Sequence, residues 1–155
     1  MNLSRKESMN FLHTGLVVRD LDKMREFYTS ILGLTVLNEI ESIAPAGGDH
    51  TGFPHARRKL VFLGFGDGHQ LELVKYIEPE SPEAGCDRHE RGSLHVCFQV
   101  TNLQQRYEEL TAAGVSFLTE PKFNTLDDGQ SVGVVYFQDP EGNWLEFVEY
   151  GGQSS

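Results

Sequence analysis

The chain repeats itself, and that constrains its fold more than any other feature. Gly68–Tyr76 reads G-H-Q-L-E-L-V-K-Y and Gly142–Tyr150 reads G-N-W-L-E-F-V-E-Y, so Gly, Leu, Glu, Val and Tyr recur 74 residues apart. Upstream, V-F-L at 61–63 meets V-Y-F at 135–137 at the same offset. Leu12-His13 opens L-H-T-G-L-V-V-R-D-L, and Leu94-His95 opens L-H-V-C-F-Q-V-T-N-L, 82 residues on. Two offsets that differ by the length of a loop mean one module used twice with different connections.

Each module reads βαβββ. Alternating or continuous apolar content predicts strands over 11–18 and 94–100. Helices are expected near 21–31 and 103–113, with Asp20 and Asn102 as N-caps. They place Met24, Phe27, Tyr28 and Ile31 on one face and Leu103, Tyr107 and Leu110 on the matching face. Gly33 and Gly114 stand where a helix end calls for a left-handed residue. Three further strands fit each half, near 34–40, 59–65 and 70–76, and near 115–119, 132–138 and 144–150. The fold class is therefore α+β, with module one at 10–77, a polar proline-bearing linker at 78–92 and module two at 93–150. A four-stranded sheet with one helix leaves its other face bare. Two such sheets facing each other would form a half-open barrel around a cleft, so that 1–155 is a single domain.

Strand side chains alternate between faces. Leu71 and Leu73 suit packing under a helix, which leaves Gln70, Glu72 and Val74 on the other side. In the repeat, Leu145 and Phe147 face the helix while Trp144, Glu146 and Val148 turn inward. Leu12 and Leu94 likewise take the helix side, leaving His13 and His95 inward. Each half thus offers one histidine from its first strand and one glutamate from its last. Singly, any of these reads equally as a satisfied core histidine or a salt-bridged glutamate. Recurring in register, His13, Glu72, His95 and Glu146 form a plausible first shell for one divalent transition metal, with open positions for substrate. A mid-strand glutamate is costly to bury without a partner, which favours a shared cation.

These motifs resemble a known family. The opening H-T-G-L-V-V-R-D-L…F-Y…I-L-G-L, residues 13–34, and the closing Y-F-Q-D-P-E-G-N-W-L-E-F-V-E, residues 136–149, look like the first module and the last two strands of the vicinal-oxygen-chelate superfamily. Its members include glyoxalase I, methylmalonyl-CoA epimerase, extradiol dioxygenases, fosfomycin-resistance transferases and metal-free bleomycin-binding proteins. The resemblance implies the same four metal ligands, His13, Glu72, His95 and Glu146, in a pattern similar to bacterial glyoxalase I. Gln70 lies two residues before Glu72 on the same face, and the ungapped repeat selects Glu72. The chain departs from glyoxalase I at C-D-R-H-E-R-G-S-L-H, where that enzyme has an asparagine and a run of glycines before its second histidine. Neither glutathione nor coenzyme A is therefore assigned as the substrate handle.

The reaction implied is that of a metal-dependent glyoxalase-like lyase or isomerase, acting on a small vicinal-oxygen substrate through an enediolate. Glu146 is the candidate base and Glu72 its counterpart. The cofactor is one divalent ion: Ni, Co, Mn, Fe or Zn. An extradiol-type dioxygenase is the first alternative, although a fourth ligand would occupy a position that oxygen or substrate needs. A metal-free drug-sequestering protein is the second, and a net charge of −10 suits its cationic ligands.

That charge opposes nucleic-acid binding. No apolar stretch approaches the roughly 18–20 residues of a membrane span, and M-N-L-S-R-K-E-S-M-N lacks the apolar run of a signal peptide, so the expected location is the cytoplasm. Small relatives imply a homodimer with a small-molecule substrate. Cys86 and Cys97 match no disulfide or zinc pattern, and Cys97 reads as a small buried hydrophobe. Arg57 and Arg58 close a loop at 47–59, where they would bind a substrate carboxylate or phosphate or else stay solvated. His50, His55, His69 and His89 lie in turns or loops and are not expected as ligands. Trp144 and Tyr136 either line the pocket or fill it.

Overall fold

The structure, a computed structural model, describes residues 10–83 and 85–151. Nine of the ten residues of M-N-L-S-R-K-E-S-M-N, read above for a signal peptide, lie outside the described residues. The two halves form two four-stranded open sheets of the same design. In the first unit the strands are β1 (His13–Val17), β2 (Thr35–Ile43), β3 (Arg57–Gly64) and β4 (Gln70–Glu78), in the order β1-β4-β3-β2. In the second they are β5 (His95–Gln99), β6 (Lys122–Thr125), β7 (Ser131–Gln138) and β8 (Trp144–Gly151), in the order β5-β8-β7-β6. β1 runs parallel to β4 and β5 parallel to β8, while every other neighbour is antiparallel. The parallel pairing requires a crossover, and a helix supplies it in each half.

The first unit holds Tyr28–Ser81 and the chain up to Leu21, whereas Asp22–Phe27 gathers with the second unit, which runs on from Pro82. The first helix is α1 (Leu21–Glu26), which loosens into a π-helical stretch over Phe27–Ile31. Met24, Phe27 and Tyr28 are buried as the apolar spacing requires. Gly33, at φ 83°, turns the chain out of this helix, its N–H bonding to Thr29 and that of Leu34 to Tyr28. Helix α2 (Leu103–Ala112) buries Leu103 and Leu110 and ends at Gly114, φ 89°. The Val115 N–H returns to the Leu110 carbonyl at 2.9 Å, closing the C-terminal turn.

Three local expectations are corrected. Asn102 does not cap α2 with its side chain; it takes a left-handed conformation (φ 55°) and makes no such bond. The cap comes from β8, where Glu149 accepts the N–H groups of Asn102 (2.7 Å) and Leu103 (3.1 Å). The strand expected over 115–119 reduces to one bridge between Phe117 and Phe137. The edge strand forms instead as β6, just past Pro121, whose ring nitrogen has no hydrogen to donate to a ladder. Leu12 and Leu94 are exposed rather than packed under a helix, because each precedes the first residue of its strand.

The apolar faces expected under the helices follow the period of two. Leu63, Leu71 and Leu73 are buried in the first sheet, and Val135, Phe137, Leu145 and Phe147 in the second. Linker residues 78–92 that are described are exposed apart from Ser81. No helix among the described residues is long and apolar enough to cross a membrane.

Candidate functional site

Strand register fixes the four candidate residues. In the first unit Gly15 is the partner of Glu72, and His13, two residues back, is the partner of Gln70, so His13 and Glu72 share a face. The His13 imidazole Nε2 lies 3.0 Å from Oε2 of Glu72. In the second unit Cys97 partners Glu146 and His95 partners Trp144. His95 Nε2 lies 3.0 Å from Oε2 of Glu146. Each glutamate is largely covered (13% and 15% exposed) while its histidine stays open (38% and 44%). Each pair is therefore an anchored carboxylate with an accessible imidazole. Glu72, and not Gln70, is the residue that reaches His13.

The D-P-E-G-N turn sets the start of β8, and with it the position of Glu146. Asp139 is buried and accepts the N–H groups of Glu141 (3.0 Å) and Asn143 (2.9 Å), together with the Asn143 amide (2.8 Å). Gly142, at φ 86°, lets the chain reverse there. Two residues of turn geometry thus determine which side chains of β8 face which way.

The two pairs sit in different surroundings. Phe62 stands edge-on to His13, with ring centroids 5.9 Å apart. Its repeat counterpart, Tyr136, stands edge-on to His95 at 5.2 Å, and its hydroxyl is 3.4 Å from His95 Nε2. Gly15 leaves the Glu72 carboxylate open, since even a Cβ there would come only within 3.4 Å of Oε2. Its counterpart is Cys97, which is exposed rather than buried as expected, and which is the register partner of Glu146. Strand parity explains the exposure: Cys97 shares the face of His95, not that of Phe98. Desolvation by its surroundings, then the negative charge of Glu146 and the hydrogen bond to it, push the thiol up to about 11. Desolvation and the same carboxylate also raise the Tyr136 phenol. Parity and the repeat offsets were the signals that could have placed Tyr136 and Cys97 here.

The remaining candidates separate. Trp144 lies under the Arg88 guanidinium, 5.3 Å from the ring centroid. His69 pairs with Thr14 Oγ1 at 3.0 Å. His50 and His89 sit beside Asp49 and Asp87. Arg57 meets Glu41 at 3.8 Å on the exposed side, but Arg58 is buried, contrary to a solvated role.

Imidazole nitrogen and carboxylate oxygen are the donor types that suit Mn, Fe, Co, Ni or Zn. Each unit brings together two of them. Among the described residues no three or more His, Cys, Asp or Glu converge as a metal cluster. Each imidazole and carboxylate satisfy one another at 3.0 Å.

Comparison with known proteins defines the class. The sequence profile of the Glyoxalase/Bleomycin resistance protein/Dioxygenase superfamily matches residues 10–147, and the chain belongs to that superfamily. Within it, the chain is similar to the lactoylglutathione lyase of Haemophilus influenzae, 28% identical over 143 residues that cover 91% of this chain and 93% of that one. It is equally similar, at 28% over 151 residues, to the lactoylglutathione lyase of Pseudomonas aeruginosa, covering 90% of this chain and 81% of the relative. Among solved structures, a glyoxalase family protein of Bacillus cereus matches with a TM-score of 0.83 at 19% identity, covering 97% of this chain and 99% of that one. The trypanothione-dependent glyoxalase I of Leishmania major matches with a TM-score of 0.65 at 24% identity, covering 92% and 87%. These structures share the fold.

Proposed function

We propose that the chain is a divalent-metal-dependent lyase or isomerase of the glyoxalase type, acting on a small substrate with two adjacent oxygens. One observation carries this reading. The same His–Glu pair, 3.0 Å from Nε2 to Oε2, occurs at equivalent strand positions of both units. The pair recurs with the same atoms and the same open histidine, which leaves one imidazole in each unit accessible to a ligand. Two relatives named lactoylglutathione lyase, each matched over most of its length, support the lyase class.

His13, Glu72, His95 and Glu146 would hold the ion. When bound, a divalent ion supplies positive charge beside two substrate oxygens, which favours an enediolate. Glu146, leaving the ion at least in part, would take the proton from the carbon beside the carbonyl and return it to the neighbouring carbon. In this reading Glu72 would be its counterpart. The Tyr136 hydroxyl supplies a hydrogen-bond donor beside Glu146 that the Phe62 side lacks.

The test is metal analysis of protein purified without chelator, followed by Ni, Co, Mn, Fe and Zn titrations of the parent and of His13→Ala and His95→Ala. About one ion per chain, lost in both variants, with turnover of a hemithioacetal, is the expected result. Absence of a bound divalent ion in the parent under every condition would remove the lyase reading and leave a ligand-sequestering module.

A further inference from the structure

Arg58 is buried on a sheet face where a strand of this kind ordinarily carries an apolar side chain. It lies in β3 on the same side as Leu60 and Phe62, between its register partners Ser42 on β2 and Tyr76 on β4. Its side chain is 8% exposed. The guanidinium sits 5.8 Å from the Tyr76 ring centroid. Nη2 donates to Ser42 Oγ at 3.2 Å and to Asp49 Oδ2 at 3.1 Å. Nε is buried and has no hydrogen-bond partner among the described residues.

Nε and Nη2 form one edge of the guanidinium, the edge that a carboxylate grips with both oxygens. Asp49 fills half of it. Its other oxygen, Oδ1, is committed to its own loop, where it accepts the Thr51 N–H at 2.9 Å and the Thr51 hydroxyl. A buried cationic donor is thus left short by a carboxylate that cannot turn to meet it. Asp49 belongs to residues 44–56, which join β2 to β3. The matching connection in the second unit is only residues 126–130, and Val132 stands where the repeat places Arg58. The cation and the segment that covers it occur together, in one half only.

We propose that Arg58 is a carboxylate-binding site for a small organic acid, and that Asp49 is its internal occupant. A free carboxylate spans Nε and Nη2, and Asp49 leaves with residues 44–56. The net charge of −10 disfavours anions over most of the surface, so an anionic ligand needs such a focused cation. The site goes beyond the lyase reading and does not depend on a metal.

The experiment is calorimetric titration of succinate into the whole metal-free chain at constant ionic strength. D49N is expected to bind about tenfold more tightly than the parent, because the internal competitor loses its charge and the cation stays. D49N/R58Q is expected to lose saturable binding, and D49N/R58K to bind several-fold more weakly, since an ammonium offers no fork. In the unaltered chain, succinate should raise the rate of proteolytic cleavage within 44–56. Equal affinity of D49N and parent, binding retained in D49N/R58Q, or cleavage indifferent to succinate would each overturn the proposal and reduce Arg58 to a pin for its loop.

Discussion

Removing the Glu149 carboxylate should unfasten the start of α2. Asn102 and Leu103 present the first N–H groups of that helix, and both are held from β8, at 2.7 and 3.1 Å, by the two oxygens of one side chain. Loss of an ordinary N-cap costs about 1 kcal/mol. The negative charge at a helix N-terminus adds roughly 0.3–1 kcal/mol. Asn102 is exposed, so water replaces one of the two bonds cheaply. Glu149→Ala should therefore destabilise the chain by about 1.5 kcal/mol. At this chain length each kcal/mol moves Tm by roughly 2–4 °C, which gives a fall of about 3–6 °C. Glu149→Gln keeps one acceptor without the charge and should lose about half as much. Urea and thermal unfolding followed by circular dichroism read both values. Asn102→Gly supplies the control. At φ 55° glycine relieves the backbone, so this change should be neutral or stabilising by up to about 1 kcal/mol. Were Glu149 not the cap, Glu149→Ala would leave stability unchanged, and that outcome would refute the assignment.

Three further outcomes follow from particular groups. In a Cys86→Ser chain without metal, alkylation of Cys97 by iodoacetamide should be slow at pH 8 and rise about tenfold per pH unit towards pH 11, since its thiol is pushed up to about 11; a rate that plateaus near pH 8.5 would contradict this. Gly133→Ala should destabilise by about 1–3 kcal/mol in the same unfolding assay, because a Cβ there would come within 2.6 Å of the Phe123 ring and 2.9 Å of Leu103. Hydrogen bonds from Thr51 and then the Arg58 charge hold the Asp49 carboxyl below its usual value. A depressed carboxylate contributes stability that is present above its unfolded pKa and lost as pH falls through the folded value. Cleavage within 44–56 by an acid protease should therefore stay low down to about pH 4 and rise below it, and Asp49→Asn should abolish that dependence.

Much of the fold was legible because two periods act locally. Alternation along a strand placed Leu71, Leu73, Leu145 and Phe147 in the core and turned Glu72 and Glu146 to the other side. The helix period found Met24, Phe27, Leu103 and Leu110. What escaped depends on partners far along the chain. Glu149 reaches back 46 residues to bond Leu103, so no local rule could prefer it to Asn102 as the cap. The burial of Arg58 depends on Asp49, whose connecting segment folds back to it. A propensity reading gives a β2–β3 loop there but not its path. The gathering of Asp22–Phe27 with the second unit is likewise a tertiary fact, invisible to a repeat that assigns each helix to its own module.

The repeat also carries information in its failures. Equivalent positions occupy the same place in the module, so a place where the halves differ marks a difference of surroundings. Gly15 against Cys97 and Phe62 against Tyr136 give the second His–Glu pair a thiol and a phenol that the first does not have at those positions. Arg58 against Val132 sets a buried cation in one sheet and a β-branched apolar side chain in the other. The shared residues define a common frame that can hold the same pair of donors twice. The differing ones break the equivalence of the two pairs, since Tyr136 and Cys97 stand beside Glu146 where Phe62 and Gly15 stand beside Glu72.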